Sequence, residues 1–154
     1  MKLIIQGPEK QAGVMLLEAL IAILVFSVGI LAIVGMQATA AQDQSEAKYR
    51  TQAAFLANRA IGQMWGFVGT DPNQIQAKLA LFAYGGSGAP PAAIASWVST
   101  VQSALPGTGA ADFPPIITVN PDNSVVVTVR WRAARDKSNN AQPHTYRTIA
   151  YISL

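Results

Sequence analysis

Three hydropathy patterns succeed one another along the 154 residues. From Val14 to Met36 the chain is apolar except for Glu18 and Ser27, twenty-three residues in all. From Ala41 to Arg50 it turns polar without Gly or Pro, and then Tyr49, Ala53, Leu56, Ala60 and Met64 recur at spacings of three and four. That spacing puts one apolar stripe on a helix. No proline falls between Val14 and Trp65, so the two stretches predict one helix over 14–65, about 78 Å long at 1.5 Å per residue. Its first half, 14–36, is long enough to cross a bilayer, and its second half needs a surface to pack on. Gly29 and Gly35 are its weak points, each costing about 1 kcal/mol against alanine.

Beyond Trp65 the pattern changes twice. Gly66 reads as a break, and Asp71-Pro72 as an N-cap followed by a first helical proline. They open a short helix through Ile75, Leu79 and Phe82. Gly85-Gly86-Ser87-Gly88 is a link; no lysine follows in the register of a phosphate-binding loop. Pro91 to Leu105 reads as a helix with Ile94, Trp97, Val98, Val101 and Leu105 on one face, stopped by Pro106-Gly107. The last third has a period of two. Ile116–Val119 is a strand and Asn120–Asn123 a turn. Val125, Val127, Val129 and Trp131 then alternate with Val126, Thr128, Arg130 and Arg132 on the other face. His144 to Leu154 is a final strand. The order predicts an α+β fold: a long N-terminal helix packed on a C-terminal antiparallel sheet of three or more strands.

Composition narrows the class. Charged residues are 12% of the chain and hydrophobic ones 51%, with mean hydropathy +0.27. That excludes a disordered chain, which is charged and apolar-poor, and argues against an ordinary cytosolic enzyme. With no cysteine and one histidine, the chain offers no disulfide, thiol nucleophile or multi-histidine metal site. A net charge of +3 is too weak for a nucleic-acid-binding stripe.

The N-terminus admits two processing sites. Residues 1–13 carry Lys2, Glu9 and Lys10, and positive charge ahead of an apolar run keeps that end cytoplasmic. A secretory signal peptide would be cut after Ala38-Thr39-Ala40, releasing a secreted binding domain. Cleavage after Gly13 is favoured instead. The apolar run exceeds the roughly 7–15 residues of a signal core, it contains Glu18, and helical sequence runs on past Ala40.

Gly13-Val14-Met15-Leu16-Leu17-Glu18-Ala19-Leu20 resembles the type III signal of type IV pilins and pseudopilins, and the Val-Met-Leu-Leu-Glu opening is closest to the minor pilins of the PilV type. The resemblance implies a pilin fold with a leader over 1–13, the helix over 14–65 and a head domain over 66–154. It also implies cleavage between Gly13 and Val14 by a membrane-embedded prepilin peptidase, and N-methylation of Val14. Glu18 would direct assembly by meeting the Val14 ammonium of a neighbouring subunit, which relieves the cost of burying either charge alone. The partners so implied are the inner membrane, other major and minor pilins, and a PilY-type tip adhesin. No cofactor is implied. A minor pseudopilin of a type II secretion system shares the whole architecture.

No catalytic site emerges. Asp71, Asp112, Asp122 and Asp136 sit in turn-like segments and read as caps or turn residues. His144 reads as solvent-exposed, and the three tryptophans as core. Arg130, Arg132, Arg135 and Arg147 form the one basic cluster, with Trp131 and Tyr146 between them, a combination that can bind an anionic partner such as DNA backbone. A solvated sheet face, or contact with an acidic neighbour, is the favoured reading of these arginines.

Overall fold

A computed structural model of the chain describes residues 12–109, 112–132 and 142–153. The first helix, α1, runs unbroken over Ala12–Val68. The chain divides into two compact units, Met1–Ala41 and Gln42–Leu154.

In the first unit every described side chain of α1 is exposed, among them Val14, Leu20, Phe26, Leu31 and Met36. A helix this apolar has no core of its own to enter. It is long and apolar enough to cross a membrane, since twenty-three residues rise about 34 Å against a hydrocarbon layer of about 30 Å.

In the second unit the rest of α1 buries Ala53, Leu56, Ala57, Ala60, Met64 and Val68. This is the stripe expected from the sequence, carried one turn further. Gly66 does not end the helix as the sequence suggested. Met64 and Val68 are buried on either side of it, and burying such side chains contributes about 1.5–3 kcal/mol each, more than the glycine costs. The stop comes at Gly69, which takes φ +71°, a backbone conformation that glycine adopts without a Cβ penalty. Lys78 Nζ donates to the Val68 carbonyl at 2.7 Å and satisfies one of the helix's last acceptors.

A 3-10 turn at Pro72–Gln74 leads into α2, Ile75–Ala80. Asp71 caps it as expected, its Oδ1 accepting from the Asn73 N–H at 3.0 Å. Helix α3 spans Ala95–Ala104, four residues shorter at its start than the sequence suggested. Pro91 to Ile94 instead form a turn closed by the Ile94 N–H on the Pro91 carbonyl. Ile94 then sits at φ −122°, outside helical geometry, as the N-cap.

Strands β1 (Ile116–Val119), β2 (Ser124–Trp131) and β3 (His144–Tyr151) form one antiparallel sheet in the order β1-β2-β3. Val125, Val127, Val129 and Trp131 are buried, facing the core with Ile117 and Ile152. The alternation read from the sequence therefore fixes the inner face. The core joins that face to the α1 stripe and to Ile75, Leu79, Trp97, Val98 and Val101. The arrangement, a long apolar N-terminal helix whose second half packs on a three-stranded antiparallel sheet, is α+β and matches the pilin-like fold.

Candidate functional site

The residues singled out by sequence fall in two places. Gly13, Val14 and Glu18 lie on the exposed first unit of α1. Val14 and Glu18 are four positions apart, so they share one side of the helix just over one turn apart. Nothing within 4 Å crowds the position a Cβ would take at Gly13. Among the 23 residues from Val14 to Met36, Glu18 is the one ionisable group, set on a surface of Leu16, Leu17, Leu20 and Ile21. A carboxylate at membrane depth costs roughly 2.5–3.5 kcal/mol on insertion scales.

The arginines are the second place. Register pairs Thr128 with Arg147 and Arg130 with Thr145, so Arg130 and Arg147 share the outer face of the sheet. The structure divides them by role. Arg130 donates to the Pro114 carbonyl at 3.2 Å. Arg132 pairs with Asp112 at 3.3 Å. Both guanidinium groups lie over the Phe113 ring, at 5.9 and 5.4 Å from its centre, within the reach of a cation–π contact. Two of the arginines thus clamp the 112–114 segment of their own chain, and Asp112 is an ion-pair partner more than a turn residue. Arg147 is exposed. Arg135 and Asp136 lie outside the described residues.

His144 is a correction. It is half-buried, its Nδ1 stands 3.3 Å from Glu46 Oε1, and its ring stacks on Trp131 at 5.7 Å. The pair joins β3 to α1, a contact between residues almost a hundred positions apart, which no local pattern signals. Asp43, Arg50 and Thr145 line the same shallow groove. Trp65 is a second correction. Trp97 and Trp131 are core, but Trp65 lies beside the buried Met64 on the outer side of the stripe and is 43% exposed. Among the described residues no group of three His, Cys, Asp or Glu is placed to hold a metal ion.

One carboxylate has a clear electrostatic environment. Asp122 Oδ1 accepts from Ser124 Oγ at 2.6 Å and from the Ser124 N–H at 3.0 Å. These bonds, the hydroxyl's first, hold its pKa below the usual carboxylate value. It works as the turn residue expected, closing the β1–β2 connection where Asn123 takes φ +61°.

Set against known proteins, the chain matches no family model, no curated protein and no solved structure.

Proposed function

We propose that the chain is a minor pilin of the PilV type, a non-catalytic subunit of a type IV pilus. It is inserted in the inner membrane with its leader cytoplasmic and its head periplasmic, and is then assembled into the extracellular fibre. The observation that carries this reading is the exposed apolar helix from Val14 to Met36, continuous with the helix of a folded head and bearing a single carboxylate near its start. Such a helix suits two environments in turn, a bilayer and a bundle of like helices. Glu18 supplies the register in the second by pairing with the Val14 ammonium of a neighbour. Prepilin peptidase cuts between Gly13 and Val14 and methylates Val14. Partner pilins and a PilY-type adhesin complete the assembly.

A pseudopilin of a type II secretion system would use the same architecture, and co-purification with sheared pili or with a secretin complex separates the two. Release after Ala40 is disfavoured because α1 passes through Ala40 without a break. The deciding experiment is the mature N-terminus, read by mass spectrometry. A chain of 141 residues beginning at methylated Val14 is expected, and Gly13→Val should accumulate uncut in the membrane. A mature form beginning at Ala41 overturns the proposal.

A further inference from the structure

The two edges of the sheet are finished differently. On the β1 side, Tyr84 and Ile117 exchange both backbone hydrogen bonds at 2.9 Å, so that edge is covered by the chain itself. Gly86 permits this approach: it takes φ +88°, and a Cβ there would stand 2.9 Å from Pro114 Cγ.

On the other side, β3 pairs with β2 in unbroken register from His144 to Tyr151, and among the described residues no strand lies beyond it. The phase of that ladder can be read from its end. The Ile152 N–H donates to the Asn123 carbonyl at 3.1 Å. In an antiparallel ladder, bonded and non-bonded pairs alternate. Tyr146, Thr148 and Ala150 therefore turn their backbone groups toward β2, whereas Thr145, Arg147, Ile149 and Tyr151 turn theirs outward. The β1–β2 ladder gives the same phase independently. The Asn120 N–H donates to the Ser124 carbonyl at 2.9 Å, so the even residues of β2 serve β1 and the odd ones serve β3. The four residues with outward backbone are also those with exposed side chains.

Proteins that must not pair at an edge blunt it with proline, charged side chains (lysine above all), a bulge or a short strand. The sequence His-Thr-Tyr-Arg-Thr-Ile-Ala-Tyr is eight residues long, carries no proline, lysine or bulge, and has in Arg147 a single exposed cation for a partner to neutralise. The geometry points to β3 as a docking edge for an extended segment of another protein, which joins as a fourth strand and places a carboxylate against Arg147. A row of backbone donors and acceptors that no strand among the described residues meets calls for an extended partner. Charge sets its character. Arg147 lies on the outer face, diagonal to Arg130. Asp112 is paired with Arg132, and Glu46 contacts His144. Ile149 and Tyr151, exposed by 51% and 66%, call for apolar side chains beside that carboxylate. Charge also disfavours a second copy. Two-fold pairing of β3 with itself about Arg147 or Thr148 would set two guanidinium groups opposite or diagonal to each other, a destabilising arrangement. The inference does not depend on the pilus reading.

Amide hydrogen exchange, resolved by NMR on the full chain in detergent micelles, tests it. The probe is a capped nine-residue peptide alternating valine and threonine with one central glutamate. In the free chain the amides of Arg147, Ile149 and Tyr151 should exchange at least about tenfold faster than those of Tyr146, Thr148 and Ala150. The peptide at millimolar concentration should slow the fast set. A twin with lysine for glutamate should bind about three- to tenfold more weakly, and Arg147→Glu should reverse that preference. N-methylating the peptide on the amides that face β3 should abolish protection without touching the protein's fold. Three results would each overturn the inference: outward amides already slow in the free chain, protection that grows with chain concentration alone, or a glutamate peptide that leaves them fast.

Discussion

The indole Nε1 of Trp97 donates to the carbonyl of Leu56 at 2.9 Å, joining the first turn of α3 to the C-terminal part of α1 across 41 positions of sequence. That carbonyl also accepts the ordinary helical bond four residues on, so the indole takes its second lone pair. Trp97→Phe removes the donor but leaves the acceptor partnered, and should cost about 1 kcal/mol. Trp97→Ala also empties a buried site and should cost about 3–5 kcal/mol. Urea unfolding of the full chain in detergent, followed by circular dichroism, measures both. A loss for Trp97→Phe as large as for Trp97→Ala would mean that the hydrogen bond, not the packing, fixes α3.

The elements that could be read from sequence are those with a local repeat. The α1 stripe from Tyr49 to Met64 and the alternation from Val125 to Trp131 are periodic, and each periodicity names its own buried face. The parts that could not be read are long-range. Nothing near His144 announces Glu46, and nothing in Arg130 or Arg132 announces Phe113. Gly66 shows the other limit. Its propensity to break a helix was legible, but the burial of Met64 and Val68 that overrides it depends on the sheet opposite. Gly13, Val14 and Glu18 stand out in the sequence as a short motif on an otherwise featureless apolar helix, and the fold places them on the exposed first unit of α1. The phase of the β3 edge was not, since it is set by the turn at Asn120–Ser124.

Two glycines should respond oppositely to alanine. Gly107 takes φ +71°, and an added Cβ would stand 2.9 Å from Arg132 Cβ, so Gly107→Ala should destabilise the head by about 2 kcal/mol or more. Gly62 is in the interior of α1 with open space where its Cβ would be. Gly62→Ala should stabilise by about 0.5–1 kcal/mol. Thermal melts of both variants check the pair, and destabilisation by Gly62→Ala would reveal a close neighbour at that face.

The Glu46–His144 contact is partly exposed on both sides, 48% and 32%, so its strength should be modest. A double-mutant cycle with Glu46→Gln and His144→Gln should give a coupling of about 1 kcal/mol or less, shrinking in high salt. A larger, salt-independent coupling would show that stacking on Trp131 locks the histidine and makes the contact a structural pin.

Asp122 should make the turn sensitive to acid. Its pKa is lowered in the folded chain by the Ser124 hydroxyl and amide. The stability this contributes is present above the unfolded value of 3.8 and is lost as pH falls through the folded value. Ser124→Ala removes the hydroxyl bond, so the wild-type advantage over the variant should be constant near neutrality and narrow below pH 3.8. Equilibrium unfolding from pH 7 to pH 2 follows it, and an advantage that persists undiminished to pH 2 would assign it to packing of the Ser124 side chain.

Glu18 carries the test of assembly, and insertion must be separated from docking. In a bilayer the carboxylate is a cost, so Glu18→Ala should enter the membrane and be processed at least as well as the wild type. On the proposed function, the same substitution would leave a neighbour's Val14 ammonium buried without a counter-charge in a dry bundle of like helices, at a cost of about 3–5 kcal/mol. Even partial hydration of that site leaves more than the roughly 1.4 kcal/mol that sets a tenfold ratio. Incorporation of Glu18→Ala into sheared fibres, normalised to its membrane pool by quantitative mass spectrometry, should therefore fall at least about tenfold. Glu18→Asp keeps the charge but retracts it by one methylene, and should fall between the two. Equal incorporation of all three would show that docking rests on the apolar surface alone and that Glu18 pairs with no ammonium in the fibre.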